Sequence, residues 1–183
     1  MSLENIMNAL PDYAKDIKLN LSGFLNEPDL SPQQMWGTML ACALAGRNEF
    51  VIREMESEAK AHLSPEAFNG AKAAAAIMAM NNIYYKFTGM IKNEEYKTLQ
   101  SRLRMNILAG HGTDKTDFEL WSLAVSALNG CKFCVDAHEK KVRDHGLSAT
   151  QVQTAVRIAA VVHAASAVLD GEAAMGTSLA KAA

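Results

Sequence analysis

Residues 64–86 read SPEAFNGAKAAAAIMAMNNIYYK, and this stretch decides the fold class. It opens with Ser64-Pro65, in which the serine can cap a helix and the proline suits the first helical position. The residues that follow are rich in alanine, the strongest helix former, and contain no further proline. They show no period-2 alternation of apolar and polar residues. The stretch therefore predicts one long helix over 65–86.

The same signals extend over the rest of the chain. Among its 183 residues 30 are alanine, and all four prolines lie at or before position 65. Patterns typical of a capping box begin at Ser31, Thr116 and Ser148, each followed three residues later by Gln or Glu. The C-terminal tail is expected to fray from Gly171. We predict an all-α fold without a sheet, with helices near 3–10, 12–20, 32–45, 49–62, 65–86, 94–108, 117–129, 131–145 and 149–169.

Composition and charge narrow the class of protein. Hydrophobic residues make up 49% and charged residues 21%, which is typical of a soluble globular protein, and the length suits a single all-helical domain over 1–183. A net charge of -2 argues against a nucleic-acid binder, which usually has a basic domain. The most apolar stretches, 71–80 and 158–169, are shorter than the ~20 residues of a membrane span, and the first residues lack a secretory signal pattern. We expect a cytoplasmic protein without a nucleic-acid or membrane partner.

Two parts of the chain resemble each other. Trp36 recurs as Trp121, 85 residues later, and alanine-rich matches follow at a spacing of 84. This pattern predicts that 32–86 and 117–169 are two copies of one three-helix unit. Only the second copy contains paired cysteines, so only that copy is expected to carry chemistry.

Residues 129–138, NGCKFCVDAH, hold the densest chemistry. Asn-Gly should end one helix, and the next would begin at Cys131, where unpaired N–H groups and the helix dipole favour a thiolate. Cys134 follows three residues later and His138 four residues after that, so all three share one face of the helix. Such a dithiol can close to a disulfide without unfolding the helix, and the imidazole can accept or share a thiol proton. In a reducing compartment this motif favours redox catalysis or metal binding over a structural disulfide.

Glu119 extends this constellation. It lies about 15 Å before the helix break and His138 about 12 Å after it, at 1.5 Å of rise per residue. If the two helices fold back as an antiparallel pair, the carboxylate faces the imidazole and can fix its tautomer and raise its basicity. The proton path would then run from Cys134 through His138 to Glu119, directly or through a water molecule.

The local sequence leaves other interpretations of these residues open. Glu119 can complete the capping box that begins at Thr116, and His138 can be an ordinary surface histidine. The two cysteines can instead bind zinc, with His138 and Glu119 as the other ligands. Structural zinc sites usually have a second Cys or His pair elsewhere in the sequence, and this chain has none. A c-type haem site is excluded, because Val135 rather than His follows the second cysteine.

Two further side chains that carry reactive chemistry are expected in the core. Cys42 lies in an apolar helix and predicts a buried thiol. His163 lies on an Ala/Val face of its helix and predicts a buried, hydrogen-bonded imidazole.

The motif Glu119-x11-Cys131-x-x-Cys134-x3-His138, in an all-helical alanine-rich chain, resembles the alkyl hydroperoxidase D family of the carboxymuconolactone decarboxylase-like superfamily. The resemblance covers essentially the whole chain. It implies an all-α fold built from a duplicated helical unit, and a homotrimer. Further matching blocks are LPDYAKDIKLN at 10–20, MWG at 35–37, IMAMNN at 77–82, LRMNI at 103–107 and FELWS at 118–122.

The resemblance also implies a function. Members of the family are antioxidant thiol peroxidases that reduce alkyl hydroperoxides through a dithiol/disulfide cycle, and they reduce a partner peroxiredoxin, alkyl hydroperoxidase C. Their electrons come from dihydrolipoamide, which is carried by a lipoylated acyltransferase and regenerated by dihydrolipoamide dehydrogenase. We therefore expect a lipoyl-dependent peroxidase with no bound cofactor and no bound metal.

Roles for single residues follow from the same resemblance. Cys134 would be the nucleophile that is oxidised to sulfenic acid, and Cys131 the proton donor and resolving thiol of a redox disulfide. His138 and Glu119 would form the proton relay. Some members carry a second histidine just before the second cysteine, where this chain has Phe133. This departure predicts a lower turnover or a different pH profile.

Two other functions stay open at this point. Carboxymuconolactone decarboxylases share the helical fold and work without a C-x-x-C motif, so a small-molecule lyase is one alternative. A zinc-binding or thiol-switch interaction module is the other. One metal ion per chain would favour that module, whereas peroxide consumption by metal-free protein would exclude it.

Overall fold

The structure, a computed structural model, describes residues 2–176, and within this range it contains helices and no strand. The prediction of an all-α fold is therefore confirmed. Short 3-10 helices lie at Asp12–Ala14, Phe24–Asn26 and Asn106–Leu108. The α-helices are α1 Ser2–Ala9, α2 Lys15–Gly23, α3 Pro32–Gly46, α4 Glu49–His62, α5 Pro65–Met90, α6 Glu95–Thr98, α7 Lys115–Leu128, α8 Lys132–Asp144 and α9 Ala149–Ala174.

Three helices begin where their capping residues predict. The Ser31 hydroxyl accepts the backbone N–H of Gln34, whose side chain accepts the N–H of Ser31, both at 3.1 Å. Ser148 and Gln151 form the same reciprocal pair at the start of α9. Ser64 caps α5 in the same way, without the return bond. Each cap stabilises its helix by about 1 kcal/mol, because it satisfies N–H groups that lack a partner within the helix.

The capping box predicted at Thr116 is wrong. Helix α7 begins at Lys115, and the carboxylate of Asp114 accepts the N–H groups of Thr116 and Asp117 at 2.8 and 3.0 Å. An aspartate is as good an N-cap as a serine or threonine, and here it lies two residues earlier. Glu119 is therefore not part of a cap.

The helix predicted over 94–108 is also wrong. Only α6 and the short turn at 106–108 are helical in this segment, and Arg102 has a left-handed φ of 51°. No residue from 91 to 116 is buried. A short helix in water is only marginally stable without an apolar face packed on the rest of the protein, so good helix formers alone do not maintain it.

The core lies where α3, α5, α7 and α9 pack together. Trp121 of α7 is fully buried, and its indole N–H donates to the carbonyl of Gln34 on α3 at 3.2 Å. A Cβ atom at Gly37 would overlap the indole ring, so α3 can approach α7 this closely only because residue 37 is glycine. This contact holds α7 in place two residues after Glu119.

Helix α9 is long and apolar enough to cross a membrane, with a mean hydropathy of 1.5 in its most apolar window. It packs against α2, α3 and α7, and 44% of that window is buried inside the protein. Its buried stripe follows Ile158, Val162 and Leu169, and His163 falls outside this stripe and is exposed, which corrects its predicted burial. The helix also continues past Gly171, where fraying was predicted, and residues 177–183 lie outside the described range.

The two proposed copies contain helices of similar length. Helices α3, α4 and α5 have 15, 14 and 26 residues, and α7, α8 and α9 have 14, 13 and 26. The duplication of 32–86 and 117–169 stays a prediction, as does the single domain over 1–183.

Candidate active site

A tight glycine turn joins α7 to α8. Gly130 has a φ of 67°, which a residue with a side chain rarely adopts. Its N–H donates to the carbonyl of Ala127 at 3.1 Å, and the N–H of Cys131 donates to the carbonyl of Ser126 at 3.0 Å. These two bonds form a Schellman motif, which ends α7 and folds α8 back along it.

The two cysteines meet at the start of α8. Cys131 is the N-cap residue, and Cys134 lies in the first turn, with a Cα–Cα distance of 5.4 Å and a disulfide between them. The sulfur of Cys131 accepts the backbone N–H of Cys134 at 3.4 Å. Both side chains are buried. After reduction, the positive end of the helix dipole favours a thiolate at this position.

Glu119 and His138 face each other across the α7–α8 hairpin, as the spacing predicts. Nδ1 of His138 lies 2.5 Å from Oε2 of Glu119, and the ammonium of Lys141 donates to Oε1 at 2.8 Å. Burial raises the pKa of the Glu119 carboxyl, but the hydrogen bonds from His138 and Lys141 outweigh it, and the pKa lies below its ordinary value. Because an ionised carboxylate only accepts, Nδ1 carries the proton and Nε2 is the nitrogen that can exchange one. The alternative of an ordinary surface histidine is therefore wrong.

Nε2 of His138 lies beside a methionine of α5. It is 3.3 Å from the sulfur of Met78, which also accepts from the hydroxyl of Ser126 at 3.4 Å. A thioether accepts hydrogen bonds but cannot donate them. The sulfur of Met78 can therefore accept a hydrogen bond from Nε2 when that nitrogen carries a proton.

An amide network ties α5 to the glycine turn. The side chain of Asn129 donates to Asn82 at 2.9 Å, and Asn82 donates to the hydroxyl of Ser126 at 2.9 Å. The ammonium of Lys86 donates to the carbonyl of Asn129 at 3.2 Å. These bonds position the turn that carries Cys131. This role is not among those predicted from the sequence, although the adjacent asparagines 81 and 82 in an apolar helix are a recognisable signal.

Cys134 and His138 line one cavity of about 190 Å³, together with Asn81 and Tyr85 of α5. No hydrogen bond joins Cys134 to His138 within residues 2–176, and the sulfur of Cys134 lies 4.0 Å from the backbone carbonyl of Asn81. The cavity has room for several water molecules or for the head of a small substrate. A proton that moves between the two side chains must therefore pass through whatever fills the cavity.

Phe133 forms an aromatic wall of this cavity. It is 55% exposed and stacks on Tyr85, with ring centroids 4.9 Å apart. Two surface grooves, of about 350 and 330 Å³, meet at the same pair of rings. The position just before the second cysteine is thus occupied by a ring that cannot titrate.

The third cysteine takes no part in the site. Cys42 is fully buried in α3, as predicted, and burial raises the pKa of its thiol well above the ordinary value. Across residues 2–176, no three His, Cys, Asp or Glu side chains are grouped so as to hold a metal ion.

A helical hairpin with this dithiol and a buried His–Glu pair indicates a thiol oxidoreductase. The model of the carboxymuconolactone decarboxylase family matches residues 94–175. Alkyl hydroperoxide reductase AhpD of Gluconacetobacter diazotrophicus is 58% identical over 96% of this chain and 97% of its own. The AhpD proteins of Streptomyces coelicolor and Maricaulis maris are 53% and 56% identical, each over 94% of this chain and 97% and 99% of their own. The chain belongs to the AhpD family.

The paired Glu119 predicts how stability depends on pH. Since its pKa is lowered on folding, it stabilises the folded state above its ordinary pKa of 4.5, and this stabilisation is lost as the pH falls through the folded value. Lys141→Met should lower the free energy of unfolding at pH 7 by no more than about 1 kcal/mol, because Lys141 is half exposed. The deficit should shrink towards zero as acid protonates Glu119.

Denaturant unfolding between pH 7 and pH 3 measures this difference. Lys140→Met is the matched control, because the neighbouring Lys140 pairs with Asp144 and does not contact Glu119. A deficit of Lys141→Met that stays constant down to pH 3 would show that Lys141 acts through packing rather than through the carboxylate.

Proposed function

We propose that this chain is an antioxidant thiol peroxidase that reduces alkyl hydroperoxides by cycling Cys131 and Cys134 between dithiol and disulfide. One observation carries the proposal: Cys131 and Cys134 form a disulfide at the N-terminus of α8, and Cys134 lines the same cavity as His138. Membership of the AhpD family, whose curated members are named alkyl hydroperoxide reductases, supports it.

In the first step, the thiolate of Cys134 attacks the distal oxygen of the hydroperoxide. A sulfur–oxygen bond forms, the oxygen–oxygen bond breaks, and the alkoxide leaves with a proton as the alcohol. Cys134 becomes a sulfenic acid, and the sulfur has given up two electrons. Cys131 donates this proton, and the relay of His138 and Glu119 replaces it on Cys131, because the carboxylate stabilises the cation of the protonated imidazole.

In the second step, the thiol of Cys131 attacks the sulfenic sulfur and releases water. The product is the disulfide between Cys131 and Cys134 that the structure contains. An external dithiol then restores both thiols by exchange through a mixed disulfide. The full cycle converts one hydroperoxide and one dithiol into an alcohol, water and a disulfide.

We propose dihydrolipoamide as that dithiol, supplied by a lipoylated acyltransferase and dihydrolipoamide dehydrogenase, and the peroxiredoxin alkyl hydroperoxidase C as a second oxidised partner. We also propose a homotrimer in the cytoplasm. These proposals rest on the family resemblance.

The proposal predicts turnover that depends on the electron donor. Purified, metal-free protein should consume an alkyl hydroperoxide with dihydrolipoamide, and at least about tenfold more slowly with glutathione. The second thiol of dihydrolipoamide resolves the mixed disulfide within the same molecule, whereas glutathione needs a second molecule for this step. Peroxide consumption with dihydrolipoamide, thioredoxin and glutathione in turn measures this.

Failure with every donor, with both cysteines still thiols after exposure to peroxide, would contradict the peroxidase. Lyase assays and a metal titration would then test the two alternatives. Turnover with thioredoxin alone would retain the peroxidase and reject the lipoyl donor.

A further inference from the structure

The sulfur of Met78 lies among polar groups, although the residue is only 1% exposed on α5. Three polar atoms approach it: Nε2 of His138 at 3.3 Å, the hydroxyl of Ser126 at 3.4 Å and the side-chain amide of Asn82 at 3.7 Å. A methionine that only fills space in a core needs no such partners. The position of the sulfur therefore points to a role as a hydrogen-bond acceptor, at a cavity that Met78 lines together with Cys134.

The imidazole of His138 lies between two groups that can only accept hydrogen bonds. The carboxylate of Glu119 is on the side of Nδ1, and the thioether of Met78 is on the side of Nε2. The pKa of the Glu119 carboxyl lies below its ordinary value, so this group is ionised near neutral pH. A neutral imidazole has one nitrogen that only accepts, and at one of the two contacts lone pairs would then face each other. Both contacts are hydrogen bonds only if both ring nitrogens carry a proton.

We propose that Met78 is a positioning residue of the proton relay, whose sulfur accepts the Nε2–H of His138 and holds the ring as an imidazolium while the disulfide is closed. The inference rests on the proposed dithiol/disulfide cycle and adds a residue to it. Its role belongs to the reductive half of the cycle, because the arrangement occurs together with the disulfide between Cys131 and Cys134.

The held proton serves the step in which an external dithiol opens the disulfide. A thiolate of the donor attacks one sulfur, a new sulfur–sulfur bond forms, and the bond between Cys131 and Cys134 breaks. The sulfur that leaves takes the bonding electron pair and becomes a thiol when it receives the proton of Nε2, directly or through water. The ring of His138 is then neutral, with its Nδ1–H still bonded to Glu119. A thioether suits this position, because a weak acceptor holds the proton on the ring and cannot remove it.

The titratable groups around the ring come from several parts of the chain. Glu119 of α7 pairs with Nδ1, and Lys141 of α8 donates to the other oxygen of the same carboxylate. Lys141 and Tyr85 of α5 line the cavity, and the closed disulfide does not titrate. His111, which precedes α7, interacts with the charge of Glu119, and burial lowers its pKa. Because Lys141 and His138 use different oxygens, one carboxylate can pair with both cations.

Nitrogen NMR of the disulfide form tests the protonation state directly. At pH 7 both ring nitrogens of His138 should have the chemical shifts of an imidazolium, with the signals assigned by their absence in His138→Phe. Met78→Leu preserves most of the side-chain volume and removes the acceptor. In this variant we expect a neutral ring with its proton on Nδ1. Met39→Leu is the matched control and should leave the spectrum unchanged, because Met39 is fully buried on α3 and does not line the cavity.

The rate at which dithiothreitol reduces the disulfide gives a second readout. At pH 8, Met78→Leu should be reduced about fivefold more slowly than the wild type, as for one lost hydrogen bond. At pH 5.5 this deficit should disappear, because a free imidazole is mostly protonated there and the ring needs no help from Met78. Met39→Leu should match the wild type at both pH values. Single-turnover reduction, followed by stopped flow, measures the ratios.

A neutral His138 in the wild-type disulfide form would overturn the inference, even if no variant folds. An imidazolium that persists in Met78→Leu would overturn it too, as would an equal rate deficit at both pH values, which indicates a packing role. If hydroperoxide does not oxidise the reduced wild-type protein, the proposed function fails instead. The nitrogen spectrum does not depend on peroxide turnover, so the two failures are distinguishable.

Discussion

Cys134→Ser is expected to abolish hydroperoxide turnover, with a loss of at least about a thousandfold. The serine hydroxyl is not ionised near neutral pH and cannot form a sulfenic acid, so neither the attack on oxygen nor the disulfide is available. The helix terminus and the cavity remain, but the reacting atom is gone. Peroxide consumption with dihydrolipoamide, compared with the wild type at equal concentration, measures the effect.

Two other cysteine variants make this result specific. Cys42→Ala should retain full turnover, because burial raises the pKa of that thiol and keeps it away from peroxide. The Cys131→Ser variant should consume one equivalent of peroxide and stop, because the sulfenic acid on Cys134 then has no resolving thiol. Turnover that persists in Cys134→Ser and disappears in Cys131→Ser would reverse the assigned roles of the two cysteines.

His138→Phe is expected to lower the rate of hydroperoxide reduction by about a hundredfold, the lower range for loss of a general acid–base group. The phenyl ring preserves most of the packing at this buried position but can neither hold a proton nor pair with Glu119. The pH at which Cys134 becomes reactive should rise as well, because the imidazolium that stabilises its thiolate is absent. Alkylation rates of the reduced protein between pH 5 and pH 9 measure this rise.

His145→Phe is the control for this substitution. His145 caps the other end of α8, is exposed, and lies 3.4 Å from the hydroxyl of Thr116 rather than near the cysteines. Its replacement should leave both the rate and the alkylation profile unchanged. An alkylation profile that is also unchanged in His138→Phe would remove His138 from the relay.

The helices that the sequence predicts correctly carry their signals within a few residues. The caps at Ser31, Ser64 and Ser148 are local hydrogen bonds, and the structure contains each of them. The segment 94–108 has good helix formers but no face packed on the core, and there local preference alone does not form a helix. The prediction that His163 is buried was wrong for a related reason. The helices that pack against α9 determine which of its faces is buried.

The reactive half of the site was predictable because it lies within 20 residues of chain. Gly130 forces a tight turn, and two regular helices then bring Glu119 to His138 by their rise alone. The half contributed by α5 was not predictable, because Met78 and Asn81 reach the cavity only through the packing of a distant helix.

By itself, then, the sequence determined the helical class, the turn between α7 and α8, and the presence of a dithiol beside a histidine and a carboxylate. These features depend on backbone preference and on spacing along one hairpin, which are local. The tertiary structure decided that α7 starts at Lys115 and that Met78 faces the imidazole. It also decided that Asn81 lines the cavity beside Cys134. Those features depend on contacts between residues far apart in the chain, and these contacts are set by how complete helices pack against one another.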